Sequence, residues 1–317
     1  MLTSEKGHEM LKRKLGLIGN GISRSSAPRL HKIAGTLCGV EIRYDLIDLE
    51  GESPDSFEES LVRCATEGYW GVNVTYPFKE WVAKVVEIPS PTVRQIGSVN
   101  TVVFAGAQQG VGYNTDYSGF LRAYQRRFPT ELPGAVGLVG TGGVGKSVAF
   151  GLARLGAQEL RFYDFDRVKA EALAAAVRCA FSPVAVSVCA TLAEATAGAD
   201  GLVNCTPLGM WQHPGNPIPD RYIRDQRWAF DVIYTALETE FLAAARAAWP
   251  CSAATNSFST KAWTPLNILR GQKLMKNSFE QRWLRPKMRI VLSVTHHTCL
   301  FTLMTCRCSS VLPGPSR

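Results

Sequence analysis

The 317-residue chain has no long apolar run, few charges and, toward one end, almost no acids. No stretch of about 18 uncharged apolar residues occurs, which argues against a membrane-spanning helix. Met1–Lys14 is charged and lacks the apolar core of an export signal, so a soluble cytoplasmic protein is expected. Charged side chains make up 20% of the residues and apolar ones 46%, a balance that excludes disorder and suits two domains of ordinary size. Glu280 is the one acid among residues 251–317, set against 10 Lys and Arg. The rest of the chain holds 25 bases and 26 acids, so the formal charge of +8 belongs to the tail alone. That tail carries no aromatic-interleaved basic pattern, and no nucleic-acid partner is expected.

Paired cysteines are lacking too. None of the five cysteines before residue 251 has metal-ligand spacing, which reads as reduced thiols of a cytosolic protein. Cys306-Arg307-Cys308 lacks a second ligand pair, so no metal site is expected.

What is present is an alternation of short β-branched runs with helical patterns, the mark of an α/β protein with a mostly parallel sheet. Strands are predicted at Leu15–Ile18, Arg43–Ile47 and Gly71–Val74, with a helix at Pro28–Cys38. Val99–Phe104 and Gly110–Tyr113 read as a hairpin, and Leu121–Phe128 as a connecting helix. A second series follows: strand Val136–Val139, a glycine-rich turn, helix Lys146–Leu155 and strand Glu159–Tyr163.

That turn, Gly140-Thr141-Gly142-Gly143-Val144-Gly145, has the framing a dinucleotide fingerprint requires. Gly140 permits the tight turn, Gly142 lets the backbone approach a pyrophosphate, and Gly145 allows close packing. The helix N-terminus supplies amide donors to phosphate. Asp164 ends the second strand, where an acid accepts from a ribose 2′-hydroxyl and repels a 2′-phosphate. NAD is therefore favoured over NADP, with two alternatives open: Asp164 as a helix cap, and Arg161 or Arg167 reaching a phosphate.

Three polar clusters interrupt the apolar strands of the first half: Gly71 to Lys79 (GVNVTYPFK), Gly97 to Thr101 (GSVNT) and Gly112 to Asp116 (GYNTD). Strand ends of this kind are where α/β sheets hold ligands, so a polar small-molecule pocket is expected. Each cluster alone also fits an ordinary cap or turn.

With Gly16-Leu17-Ile18-Gly19, Ser25-Ser26-Ala27-Pro28-Arg29-Leu30-His31, Val203-Asn204-Cys205-Thr206-Pro207-Leu208-Gly209-Met210 and Asp231-Val232-Ile233-Tyr234, the clusters occur in one order over residues 15–248. In that order they resemble the shikimate/quinate dehydrogenase family, and Asp164 with Tyr117 to Phe120 and Glu238-Thr239 looks most like its NAD-linked subgroup. The resemblance implies a substrate-binding α/β domain at 12–118 and a Rossmann-type NAD(P) domain at 119–250, with a deep cleft between them. It implies reversible hydride transfer between C3 of a cyclic hydroxy acid and nicotinamide, in a monomer or homodimer. Lys79 and Asp116 become the catalytic pair, with Ser25, Thr75, Asn100 and Tyr234 beside them on the substrate. Gly140, Gly142, Gly143, Val144, Gly145 and Asp164 hold the dinucleotide, and Thr206, Pro207, Met210 and Val232 line its nicotinamide side. Ala27 departs from the pattern, standing where most relatives carry a second hydroxyl. Ser23, Arg24 and Ser26 are candidates to replace that contact.

The resemblance stops after Trp249, where the family continues into a helix whose Gln touches the substrate. Shifting the codon frame lets residues 252–265 encode Ser-Gly-Tyr-Glu-Leu-Phe-Phe-Tyr-Gln-Gly-Val-Asp-Ala, and Trp263-Thr264 forces the Asp. A frameshift near codon 250 explains the abrupt change in charge and cysteine usage. A genuine basic extension is the alternative, and as written residues 251–317 are expected to be poorly ordered or marginally helical. Two further readings of the whole stay open: an inactive nucleotide-binding relative, and a nucleic-acid-binding protein acting through the basic tail, for which no recognised motif is present.

Overall fold

The computed structural model describes residues 11–51, 55–104, 109–233 and 238–248, together with the backbone of Ser257–Ser259. Tyr234 lies outside the described residues, as does the tail apart from those three positions. No helix among the described residues is long and apolar enough to cross a membrane. The described chain divides into two compact units, 11–90 with 99–113, and 91–98 with 114–259.

The first unit contains β1 (Leu11–Gly19), α1 (Ala27–Leu37), β2 (Val40–Asp48), α2 (Asp55–Thr66), β3 (Gly71–Val74) and α3 (Lys79–Val85). The next helix, α4 (Pro91–Ile96), belongs to the second unit, after which β4 (Thr101–Val103) and β5 (Val111–Tyr113) complete the first. Its sheet runs β2-β1-β3-β4-β5. The first three strands are parallel, and β4 and β5 are antiparallel, as the hairpin reading requires. Leu15, Leu17 and Ile18 are buried in succession, as a strand covered on both faces demands. In α1, a proline in the first turn starts the helix, and Leu30, His31 and Ala34 face inward. Gly35 brings α1 onto β2: a Cβ there would sit 2.4 Å from Ile42 and 2.6 Å from the Val40 carbonyl.

In the second unit α5 (Thr115–Arg127) precedes β6 (Ala135–Val139), α6 (Gly143–Arg154), β7 (Glu159–Tyr163), α7 (Arg167–Ala180) and β8 (Ala185–Val188). Then come α8 (Leu192–Thr196), β9 (Gly201–Asn204), β10 (Trp228–Asp231), α9 (Glu240–Ala248) and β11 (Ser257–Ser259). The sheet is parallel throughout, in the order β11-β10-β9-β6-β7-β8. Phe120, Tyr124, Phe150, Trp228 and Phe230 form its aromatic core.

Two sequence expectations change. The connecting helix begins at Thr115, six residues before the predicted start, because Asn114 caps it by accepting from the Tyr117 amide at 2.8 Å. Its Phe120 and Tyr124 pack in the second core, so α5 belongs to the second unit from its first turn rather than from residue 119. Ser257–Ser259, expected to lack regular structure beyond marginal helix, is a strand paired with Ala229–Asp231. The strand covers the outer edge of β10, whose backbone donors and acceptors an extended segment satisfies.

Candidate active site

In the first unit the connections from β1 and β3 lead to opposite sides of the sheet, which makes the end between them a topological switch point. Ser25 lies in the loop after β1, and its hydroxyl accepts from the Ala27 amide at 3.2 Å. Asp48 staples this loop by accepting from the amides of Gly21 and Ile22 at 2.8 and 2.9 Å. Ala27 is buried, whereas Ser23, Arg24 and Ser26 are exposed. Thr75 directly follows β3, its amide bonded to the Ile18 carbonyl. A Cβ on Gly19 would stand 2.2 Å from the Thr75 methyl, so glycine is what lets the end of β1 lie against Thr75. Lys79 opens α3 half-buried, and its carbonyl accepts from Val99 at 2.8 Å.

Asn100 stands just before β4, at the same end of the sheet, since Asn73 of β3 is registered with Thr101. A buried network fixes it. The Tyr44 hydroxyl donates to Asn73 Oδ1 at 2.9 Å, and Asn73 Nδ2 donates to the Asn100 carbonyl and to Thr101 Oγ1. The Thr101 hydroxyl donates in turn to Asn100 Oδ1 at 3.2 Å, which sets the orientation of the Asn100 amide. Ser25, Thr75, Lys79 and Asn100 thus gather at one end of one sheet. Asp116, in the first turn of α5, belongs to the second unit, where a carboxylate complements the helix N-terminus.

The second unit has its own switch point between β6 and β9. Gly140 adopts φ 93°, and a Cβ there would meet the Cys205 and Thr206 backbone at 2.8 Å, so the loops after β6 and β9 touch. A Cβ on Gly145 would lie 2.1 Å from the Gly140 carbonyl. The close packing expected of Gly145 is therefore against the turn itself. Around Gly142 a Cβ would meet nothing within 4 Å, which leaves a cradle over the first turn of α6, where the amides of Gly143, Val144 and Gly145 have no helical acceptor. These residues fit a dinucleotide pyrophosphate.

Both Thr141 groups, the amide and the hydroxyl, donate to Asp164 Oδ2 at 2.7 Å, and the Asp166 amide donates to Oδ1 at 2.9 Å. Asp166, not Asp164, caps α7. Arg161 is committed to Glu159 at 2.6 Å and to the Ala197 carbonyl, and this pairing holds the Glu159 carboxyl below its usual range. Arg167 pairs with Glu171 at 3.2 Å on the exposed face of α7.

The loop after β9 hangs on Asn204. Its Oδ1 accepts from the amide and hydroxyl of Thr206, and its Nδ2 donates to the Leu208 carbonyl and to Asp231 Oδ1. Thr206 and Met210 are half-buried and Pro207 is exposed, while the Val232 amide bonds the Asn204 carbonyl. Sequence reasoning assigned no role to Tyr44, Asp48 or Thr141, each of which acts through a partner 23 or more residues away in the chain, nor to Thr239, which donates to Asp231 eight residues before it. Only Asp48, an acid at a strand end, carried a local signal.

Two α/β units, the second with a glycine-rich turn at the switch point of a parallel sheet, place the chain among two-domain dinucleotide-dependent oxidoreductases. A family model described as the shikimate dehydrogenase substrate binding domain matches residues 17–102. A quinate/shikimate dehydrogenase (NAD(+)) of Corynebacterium efficiens is 37% identical over 237 residues, which cover 74% of this chain and 84% of that protein. A shikimate dehydrogenase (NADP(+)) of Pseudarthrobacter chlorophenolicus is also 37% identical, with 74% and 80% covered. The solved quinate dehydrogenase from Corynebacterium glutamicum in complex with NAD matches with a TM-score of 0.66 at 34% identity, covering 78% of this chain and 87% of that one. The chain belongs to the shikimate/quinate dehydrogenase family.

Proposed function

We propose that this chain is a quinate/shikimate dehydrogenase that interconverts the C3 alcohol and ketone of a cyclic hydroxy acid with NAD. The observation that carries the reading is the gathering of Ser25, Thr75, Lys79 and Asn100 at one end of the first sheet, in a chain of this family. Ser25, Thr75 and Asn100 hydrogen-bond the carboxylate and ring hydroxyls, with Tyr234 as a further donor. Lys79 takes up the C3 hydroxyl proton as the alcohol is oxidised and returns it on reduction, donating to the C3 oxygen when charged. The family resemblance assigns Asp116 to the catalytic pair with Lys79. When bound, the nicotinamide accepts the hydride from C3 or gives it back.

Asp164 supports NAD, because its carboxylate is anchored at the end of β7, and both nearby arginines have acidic partners. Steady-state rates for shikimate and quinate, each with NAD and with NADP, test the proposal. Turnover of at least one substrate with kcat/KM higher for NAD is expected. Turnover of neither would refute the activity, and equal use of NADP would refute the cofactor assignment.

A further inference from the structure

The cofactor assignment makes Asp164 the acceptor for the ribose 2′-hydroxyl, and the structure adds a residue that prepares it. A carboxylate offers about four acceptor positions, two on each oxygen. Thr141 fills both positions of Oδ2, with its amide and its hydroxyl each at 2.7 Å. The Asp166 amide takes one position of Oδ1 at 2.9 Å. The remaining position is on the oxygen Thr141 does not use. Thr141 is 0% exposed, so it reaches nothing but the protein around it. It also sits inside the glycine-rich turn, between Gly140 and Gly142, and so couples the pyrophosphate cradle to the ribose acceptor.

We infer that Thr141 is a specificity-determining positioning residue, whose hydroxyl locks Asp164 with one Oδ1 acceptor position presented to the ribose 2′-hydroxyl of NAD. The hydroxyl bond adds a third contact to the two backbone amide bonds, from Thr141 to Oδ2 and from Asp166 to Oδ1, and so narrows the torsion of the carboxyl plane. A carboxylate so fixed accepts from a 2′-hydroxyl without reorganisation, and it cannot swing away from a 2′-phosphate, which has no donor to offer and repels it. The discrimination between the two dinucleotides therefore depends on Thr141 as well as on Asp164. The inference rests on the reading of Asp164 as the ribose acceptor.

The test measures dissociation constants of NAD and of NADP by titration calorimetry on the full chain, for the wild type and for Thr141→Val, Thr141→Ala, Thr141→Ser and Asp164→Ala. Thr141→Val removes the hydroxyl at nearly constant volume, and Thr141→Ala removes it without placing a methyl against the carboxylate. Both are expected to weaken NAD about tenfold while NADP changes by less than about twofold, the loss of one charge-assisted hydrogen bond. Thr141→Ser should keep the wild-type ratio, and Thr141→Val added to Asp164→Ala should change the ratio no further. If Asp164→Ala shifts the ratio and Thr141→Val and Thr141→Ala do not, the role of Thr141 is overturned and the Asp164 reading stands. A ratio unmoved by Asp164→Ala, or no binding of either dinucleotide to the wild type, overturns both. A fall in affinity that is equal for NAD and NADP would make Thr141 merely structural.

Discussion

Asn204 donates from Nδ2 to Oδ1 of Asp231 at 3.1 Å, joining the ends of two neighbouring strands inside the second unit. The Asp231 carboxylate is fully buried and also accepts from the Ile233 amide at 2.9 Å and the Thr239 hydroxyl at 2.5 Å. Asn204 in turn holds the Thr206–Leu208 backbone, so the buried Asp231 side chain anchors the loop that lines the nicotinamide side of the proposed site. Thr239→Val deprives that carboxylate of one donor, and a loss of about 1.5–3 kcal/mol is predicted in urea unfolding. An unchanged midpoint would show that the carboxylate does not need this bond.

Tyr44 tests the other unit. Tyr44→Phe removes the donor to Asn73 Oδ1 and loosens the network that orients Asn100. A stability loss of about 1 kcal/mol is predicted, together with a rise in substrate KM and little change in KM for NAD. A rise in both KM values alike would point to general unfolding instead of a misoriented Asn100.

The Glu159–Arg161 pair predicts a pH dependence. Arg161 lowers the folded-state pKa of Glu159 below its ordinary 4.5. Its contribution to stability is therefore complete above that value and is lost as the pH falls through the lower, folded-state value. Thermal melts should show Glu159→Gln less stable than the wild type at neutral pH, with the gap closing under acid conditions. A gap that persists at acid pH would contradict the pairing.

Burial pushes the Cys64 thiol up to about 12, whereas Cys179 is exposed. Brief alkylation of the native protein at neutral pH, followed by peptide mass mapping, should modify Cys179 and leave Cys64 intact. Rapid modification of Cys64 would show that α2 opens readily.

The tail makes a separate prediction. Replacing residues 252–317 with the shifted-frame segment should lower substrate KM, since it restores the Gln that the family resemblance puts on the substrate. The same KM in both chains would show that the tail as written suffices.

Much of the fold was legible because it rests on local patterns. Gly71–Val74 falls where predicted and is buried at every position, while Glu159–Tyr163 falls where predicted with alternate residues buried. The start of α5 was not legible, because Thr115 and Asp116 read as loop until Asn114 is seen capping Tyr117. The glycine-rich turn and Asp164 could be found from spacing, but their junction could not. Thr141 lies 23 residues from Asp164, Tyr44 lies 29 from Asn73, and Asn204 lies 27 from Asp231. Strand register brings each pair together, and register is a property of the whole sheet.

The central claim is hydride transfer assisted by Lys79, and the most direct measurement is NADH formation from shikimate and from quinate by the wild type and by Lys79→Ala. The account predicts NADH from the wild type with at least one substrate. In the variant kcat should be lower by about 10²- to 10⁴-fold while NAD binding is retained. Comparable turnover by Lys79→Ala, or none by either protein with both substrates, would contradict it.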